Sequence, residues 1–360
     1  MKQFNKNNNY KYNIAILPGD GIGPEVINAS LKVIKKSLKL DNIIIKEKVY
    51  NWGSNYYKKH KLMMPDDGLE KLKKHDAIFF GAVGDKDIDD DITLWGLRLN
   101  ICQGLDQYAN IRPSKYIEGI STPLNKHLAK KIDWVIVREN SEGEYAGSGG
   151  IVHKGLPIEI GSEVAVFTRE GCRRIHDYAF KLASKRPKKH LTLITKSNAQ
   201  KHGMKLWDKM FYEVKKNYPK VKTNKLLVDA ATAVMVNNPE KIDVMVATNL
   251  HADILSDLAS ALTGSLGIGA TANITLSEKI PSMFEPIHGS AFDIVGKNIA
   301  NPIGAIWSGM MMLDHLGENK SADRIFNAIK LYANNGGPFT PDLGGEASTS
   351  NVIDSILKLL

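Results

Sequence analysis

Apolar residues fall into two patterns along this chain, and the patterns alternate. Short runs rich in β-branched residues read as buried strands: IAIL (14–17), AIFFGAVG (77–84), WVIVREN (134–140), LTLITKSN (191–198) and VMVATN (244–249). Between them, apolar positions recur every three or four residues, as in amphipathic helices, at 24–38, 170–185 and 199–216. In the first of these, Ile27, Leu31, Ile34 and Leu38 mark one face. Strands that are apolar on both faces and alternate with helices predict an α/β fold around a largely parallel sheet, because such a sheet is covered on both sides. One segment departs from this rhythm. SGGIVHKGLPIEIGSEVAVF (148–167) alternates without a following helix and reads as a β-hairpin arm, either a dimer clasp or a surface flap.

The first strand–helix junction, NIAILPGDGIGPEV (13–26), holds Gly19, Gly21 and Gly23. Pro24 stands where a dinucleotide fingerprint needs its third glycine, and no Lys-Ser/Thr pair follows to make a P-loop. Pro24 and Glu25 instead suit the first turn of a helix, where a missing N–H costs nothing and an acid faces the positive end of the dipole. The junction is a tight βα turn, and its spacing alone does not identify a ligand.

At 360 residues, the chain is long enough for about two domains. Its 43% hydrophobic and 24% charged residues are those of a globular protein. A formal charge of +9 raises the question of nucleic acid. The lysines are dispersed, however, and the densest cluster, KRPKKH (185–190), has no interleaved aromatics. A solvated surface with a general pull on anionic substrates is the expectation. Two cysteines, Cys102 and Cys172, exclude a disulfide framework and a cysteine-built metal site. No run of about 18 apolar residues occurs, and the leader MKQFNKNNNYKYN has no apolar centre. The expectation is a cytoplasmic protein with neither membrane nor nucleic-acid partner.

Polar groups gather at the carboxyl ends of the strands, where open α/β sheets bind ligands. Arg138, Glu139 and Asn140 follow WVIV, Lys196 follows LTLIT, Asp229 follows LLV, and Asn249 follows VMVAT. In HADILSDLASAL (251–262), Ile254, Leu255, Leu258, Ala259 and Leu262 form the expected core stripe. That leaves Asp253 and Asp257 together at i, i+4, a repulsive pair unless a cation lies between them. An acidic first turn explains the pair alone. With Asp229 added, three carboxylates and water make an all-oxygen site suited to Mg²⁺ or Mn²⁺. Arg98, Arg112 and Arg138 are each compatible with a structural ion pair, and together with a bidentate grip on substrate carboxylates. Tyr145 and Lys196 offer an acid and a tunable base.

At these residues the chain resembles the metal-dependent β-decarboxylating dehydrogenases, the family of the isocitrate, 3-isopropylmalate, D-malate and tartrate enzymes. The resemblance runs nearly the full length through DQYANIRP (106–113), VRENSEGEY (137–145), TKSNAQ (195–200), VDA (228–230), NLHADILSDLASALTGSLG (249–267) and FEPIHGSAFDIVGKNIANP (284–302). It implies an isopropylmalate dehydrogenase-like two-domain α/β fold with a largely parallel sheet, not a Rossmann fold. A discontinuous cofactor-binding domain (1–107 and 264–360) would flank a substrate, metal and dimerisation domain (108–263). It also implies a homodimer with shared active sites. The metal would sit on Asp253 and Asp257 with Asp229 of the partner subunit, and Lys196, also from the partner, would be the catalytic base beside Asp229. Tyr145 would donate a proton, and Arg112 and Arg138 would hold the substrate. His288, Gly289, Ser290, Ala291 and Asn301, with Asn249, would bind the cofactor. Asp293 stands where an acid pairs with ribose hydroxyls, so NAD is expected over NADP; K⁺ is an additional candidate ion.

The chain departs from the family at Cys102, where many members carry a third arginine. Arg98, one helical turn earlier, is expected to reach the same carboxylate. Trp95 in TLWGLRL (93–99) is bulky and suggests a small substrate pocket, and the Leu-Trp-Gly string resembles tartrate and D-malate members most. The expected reaction is NAD- and metal-dependent oxidation, with or without decarboxylation, of a small 2-hydroxy dicarboxylic acid. 3-Isopropylmalate ranks second and isocitrate third, with a non-catalytic basic binding protein as the remote alternative.

Overall fold

The computed structural model describes residues 10–360. The reading of the leader as lacking a signal sequence falls largely on residues 1–9, which lie outside the described residues. Among the described residues twelve strands form: β1 (Tyr12–Gly19), β2 (Ile45–Val49), β3 (Ala77–Ala82), β4 (Ala109–Lys115), β5 (Asp133–Glu139), β6 (Gly143–Val152), β7 (Ile160–Val166), β8 (His190–Thr195), β9 (Lys222–Leu227), β10 (Val244–Ala247), β11 (Ala270–Ile274) and β12 (Ser282–Pro286).

The chain divides into two compact units. One contains residues up to Gln107, Tyr116–Lys126 and Ser260–Leu360; the other contains Tyr108–Lys115 and His127–Ala259. The single span expected for the second domain is thus interrupted, because residues 116–126 pack with the first unit. Thr122, for example, donates to the carbonyl of Leu262 at 2.6 Å, and Gly119 lies against the backbone of Ala333.

In the first unit, strands follow the order β2-β1-β3-β12-β11, parallel except for the antiparallel β11. Every residue of β3 is buried, which accounts for its unbroken apolar sequence. The helix Gly23–Lys39 begins with Pro24 in its first turn and buries Val26, Ile27, Leu31, Ile34 and Leu38. The helix Ile303–His315 is apolar nearly all round, so it carries no amphipathic signature, and it packs on both the helix Gly23–Lys39 and β12.

In the second unit the order is β4-β5-β10-β8-β9, parallel except for β4. The helices Arg169–Lys185 and Gly203–Lys215 cover it, burying Ile175, Phe180, Trp207 and Phe211. The second helix starts later than its periodicity suggests. Ala199 and Gln200 both donate to the carbonyl of Lys196, turning the chain before Gly203 can begin the helix. The expected arm forms as the antiparallel pair β6–β7, with a register irregularity between Gly143 and Ser148. Its side chains are largely exposed in the single chain, including Ile151, Ile158, Ile160 and Val164. No helix of the described residues is long and apolar enough to cross a membrane.

Candidate active site

The second unit builds a cationic centre from two strands and one helix. Arg138 lies near the carboxyl end of β5, directly opposite Asn110 on the antiparallel β4. Directly opposed residues share a sheet face, and so do residues two apart, which puts Arg112 on the face of Arg138. The helix Asn249–Thr263 follows β10, the parallel neighbour of β5. Its residues 249, 253 and 257 recur every four positions and form one stripe.

Arg138 donates from Nε and Nη2 to Oδ1 of Asn249, at 2.9 and 2.6 Å, and from Nη1 to Oδ1 of Asp253. Arg112 donates to Asn110 at 2.9 Å, to Ser256 Oγ at 2.5 Å and to the same Asp253 oxygen at 3.2 Å. The two arginine side chains are only 6% and 4% exposed, whereas Asp253 is 39% exposed. Two buried guanidiniums therefore face one half-open carboxylate. Asp257 lies one turn on. Burial, then the charge of Asp253, pushes its carboxyl above the usual range, against the pull of Arg112 and Arg138. Tyr145 on β6 places its ring 5.5 Å from the Arg138 guanidinium carbon.

The helix carrying the aspartates buries Ala252, Leu255, Ala259 and Leu262. Ile254, expected in its core stripe, is instead 53% exposed, and Leu250 is exposed on the same side. A period of 3.6 leaves the edge of a stripe undecided, and here the edge falls outside. Glu144 accepts from Thr248 Oγ1 at 2.9 Å and from the Leu250 amide at 3.1 Å, neutralising the N-terminus of that helix. No sequence signal announces this bond, since its partners stand more than a hundred positions apart.

Lys196, just past β8, donates to Asp229 at 2.6 Å. That bond is the main cause of a lowered Asp229 carboxyl pKa. Among the described residues no three His, Cys, Asp or Glu side chains converge as a metal site. Within one chain, then, Asp229 stays with Lys196 and does not join Asp253 and Asp257.

The first unit holds the remaining candidates. Trp95 and Arg98 lie on a π-helical turn, Leu94–Leu99, a distortion that α-helical periodicity does not reveal. Trp95 is half exposed. Arg98 is gripped by Glu285, with Nε at 2.9 and 3.1 Å from its two oxygens and Nη2 at 2.7 Å, and Asn273 bonds the same carboxylate at 2.8 Å. Cys102 is fully buried among Leu97, Ile101, Leu105 and Met63. Past β12, Ser290 is buried and accepts, through its carbonyl, from the Ile22 amide at 2.9 Å. Gly21, at φ +57°, lies so close that a Cβ would stand 2.0 Å from the Ser290 carbonyl oxygen. The glycine turn and the segment expected to bind the cofactor are thus brought together. His288 and Gly289 follow β12; Nε2 of His288 is buried without a partner, and nothing lies within 4 Å of where a Cβ on Gly289 would be. Ala291 is left-handed, Asp293 sits in a short 3₁₀ turn, and Asn301 bonds Asp342 at 2.9 Å.

The donor sets suit the groups the family uses. Two carboxylates one turn apart, one with a raised pKa, call for a cation between them. The orphaned His288 nitrogen and the open Gly289 suit a polar, flat ligand. Residues 13–356 match the isocitrate/isopropylmalate dehydrogenase family. A probable tartrate dehydrogenase/decarboxylase of Agrobacterium vitis is 57% identical over 351 residues, covering 97% of this chain and 98% of that protein. The decarboxylating D-malate dehydrogenase of Escherichia coli is 44% identical, covering 96% and 98% respectively. The crystal structure of isocitrate dehydrogenase from Methylococcus capsulatus superposes with a TM-score of 0.88 at 34% identity, covering 97% of this chain and 99% of that one. Geometry, ordered motifs and full-length similarity agree: the chain belongs to the isocitrate/isopropylmalate dehydrogenase family, oxidoreductases that act on a CH–OH group with a nicotinamide cofactor and a divalent metal.

Proposed function

We propose that this chain oxidises a small 2-hydroxy dicarboxylic acid of the tartrate or D-malate type, with NAD and Mg²⁺ or Mn²⁺, as a cytoplasmic homodimer. The observation that carries the reading is the pair of buried arginines meeting at Asp253, in a chain similar end to end to tartrate and D-malate enzymes. When bound, the metal on Asp253, Asp257 and Asp229 of the partner subunit would acidify the substrate hydroxyl and draw electrons from the β-carboxylate bond, while NAD accepts hydride.

The chain's own groups do the rest. Arg112 and Arg138 hold the carboxylates, each fixed beforehand by an asparagine so that little freedom is lost on binding. Lys196 takes the hydroxyl proton, with Asp229 holding its ammonium group. Because these two are bonded to each other, a partner that lends one lends both. Tyr145 returns a proton to carbon after CO₂ leaves. His288, Gly289, Ser290, Ala291 and Asn301 would line the adenosine, with Asp293 on the ribose hydroxyls; its charge would repel a 2′-phosphate. The exposed apolar arm β6–β7 and the exposed Leu250 and Ile254 supply surface for a dimer.

The test is turnover of tartrates, D-malate, 3-isopropylmalate and isocitrate with NAD and Mn²⁺. A tartrate or D-malate should give the highest kcat/KM. Best turnover of 3-isopropylmalate or isocitrate would reject the substrate assignment.

A further inference from the structure

Asp20 is a buried acid that no step above uses. It stands in the turn after β1 and is 8% exposed. Its Oδ1 accepts from the Ser54 amide at 2.7 Å; its Oδ2 accepts from the Ser54 hydroxyl at 2.7 Å and the Gly84 amide at 3.1 Å. All three donors are neutral, and burial pushes its carboxyl above the usual range. A buried carboxylate held only by neutral donors is costly, so its place calls for a reason.

The reason lies in what it joins. Asp20 and Gly84 lie in the loops that follow β1 and β3, and Ser54 opens the short helix Ser54–His60 that follows β2; the three strands are adjacent and parallel, and these segments leave their carboxyl ends. The loops after β1 and β3 also close on Ser290. Ile22 donates to its carbonyl, Gly21 has no room for a Cβ against it, and a Cβ on Gly84 would stand 3.0 Å from its hydroxyl. Gly53, at φ +129°, lets the second loop approach, since a Cβ there would be 2.7 Å from Asp20 Oδ1.

We propose that Asp20 is a positioning residue for the dinucleotide: its carboxylate clamps the three strand-end loops so that the glycine turn and Gly84 hold the Ser290 segment in its binding shape. This rests on the reading that residues 288–301 bind NAD. Asp20→Asn is the informative change. An amide can still accept from the Ser54 amide, but it then turns an N–H toward the Gly84 N–H, and that loop is released.

The experiment is calorimetric titration of NADH into the full-length protein, alongside steady-state kinetics. Asp20→Asn should weaken NADH binding and raise the KM for NAD by about 10- to 100-fold, the effect of losing a hydrogen bond to a charged group. The KM for the hydroxy acid, and kcat at saturating NAD, should stay within about threefold of wild type. Ser54→Ala should weaken NADH in the same direction by a smaller factor, and Ser54→Thr, which keeps the hydroxyl, should restore it. If Asp20→Asn does not fold, the Ser54 pair carries the test. Unchanged NADH affinity in these variants, or a uniform loss of thermal stability with no change in the KM for NAD, overturns the clamp while leaving the dinucleotide reading intact. Wild-type protein that fails to bind NADH overturns both.

Discussion

Changing Asp253 to asparagine removes a carboxylate oxygen to which both buried guanidiniums donate. Arg112, Arg138 and Asp253 together carry a charge of about +1; the substitution makes it about +2 with the arginines still out of water. Breaking a fully buried ion pair costs about 3–5 kcal/mol. Asp253 is 39% exposed, so water offsets part of this, and about 1–3 kcal/mol is the reasoned range. The second unit holds about 140 residues. At roughly 2–4 °C per kcal/mol for a domain near that size, its melting temperature should fall by about 2–12 °C.

Thermal melts with added ligands separate this cost from function. Mn²⁺ at a hundred times its Kd should stabilise wild type by about 2.7 kcal/mol, and the variant should lose that increment. A non-reacting dicarboxylate should still stabilise the variant, because two arginines freed from Asp253 remain to bind it. Retention of the wild-type melting temperature together with an undiminished Mn²⁺ shift would show that Asp253 neither balances the arginines nor holds the metal. Loss of the dicarboxylate shift with the Mn²⁺ shift intact would place the arginines and the aspartate in the wrong roles.

Lys196→Met should lower kcat by about 10²–10⁴-fold with little change in substrate KM; a kcat near wild type would remove it as the base. Tyr145→Phe should keep more NADH formation than CO₂ release, assayed on one substrate, and equal losses would refute the division of labour. Two buried groups predict opposite pH slopes of stability, read from denaturant melts across pH. His176, packed between Trp207 and Phe211 with both ring nitrogens unpartnered, has its pKa pushed down to about 3. The unfolded chain binds that proton below about 6.5 and the folded one does not, so stability falls as pH drops through this window, and His176→Leu should flatten the slope. Glu139, pushed up to about 7 by burial, binds its proton more tightly when folded, so stability falls as pH rises from about 4.5 to 7. Glu139→Gln should remove that fall; unchanged slopes in both variants would contradict the burial argument. Ile158→Asp with Ile160→Asp should convert a dimer to monomers by light scattering and abolish turnover, and a persisting dimer would exclude the arm from the interface.

The β-branched runs and helical periodicities were legible because each depends on neighbours a few residues away. Five expected strands form close to their sequence positions, and so does the arm. The stripe that pairs Asp253 with Asp257 follows from helical spacing alone, and the ordered motifs carried the family. Tertiary structure decided the rest. It turned 94–99 into a π-helix, tied Arg98 to Glu285 nearly two hundred positions away, and gave the amide of Asn249 to Arg138. It also put Ile254 outside, packed residues 116–126 with the first unit, and kept Asp229 with Lys196 within the chain. Periodicity records which face of an element avoids water. Which charged group it meets depends on strand order and register, and these arise only when distant segments fold against one another.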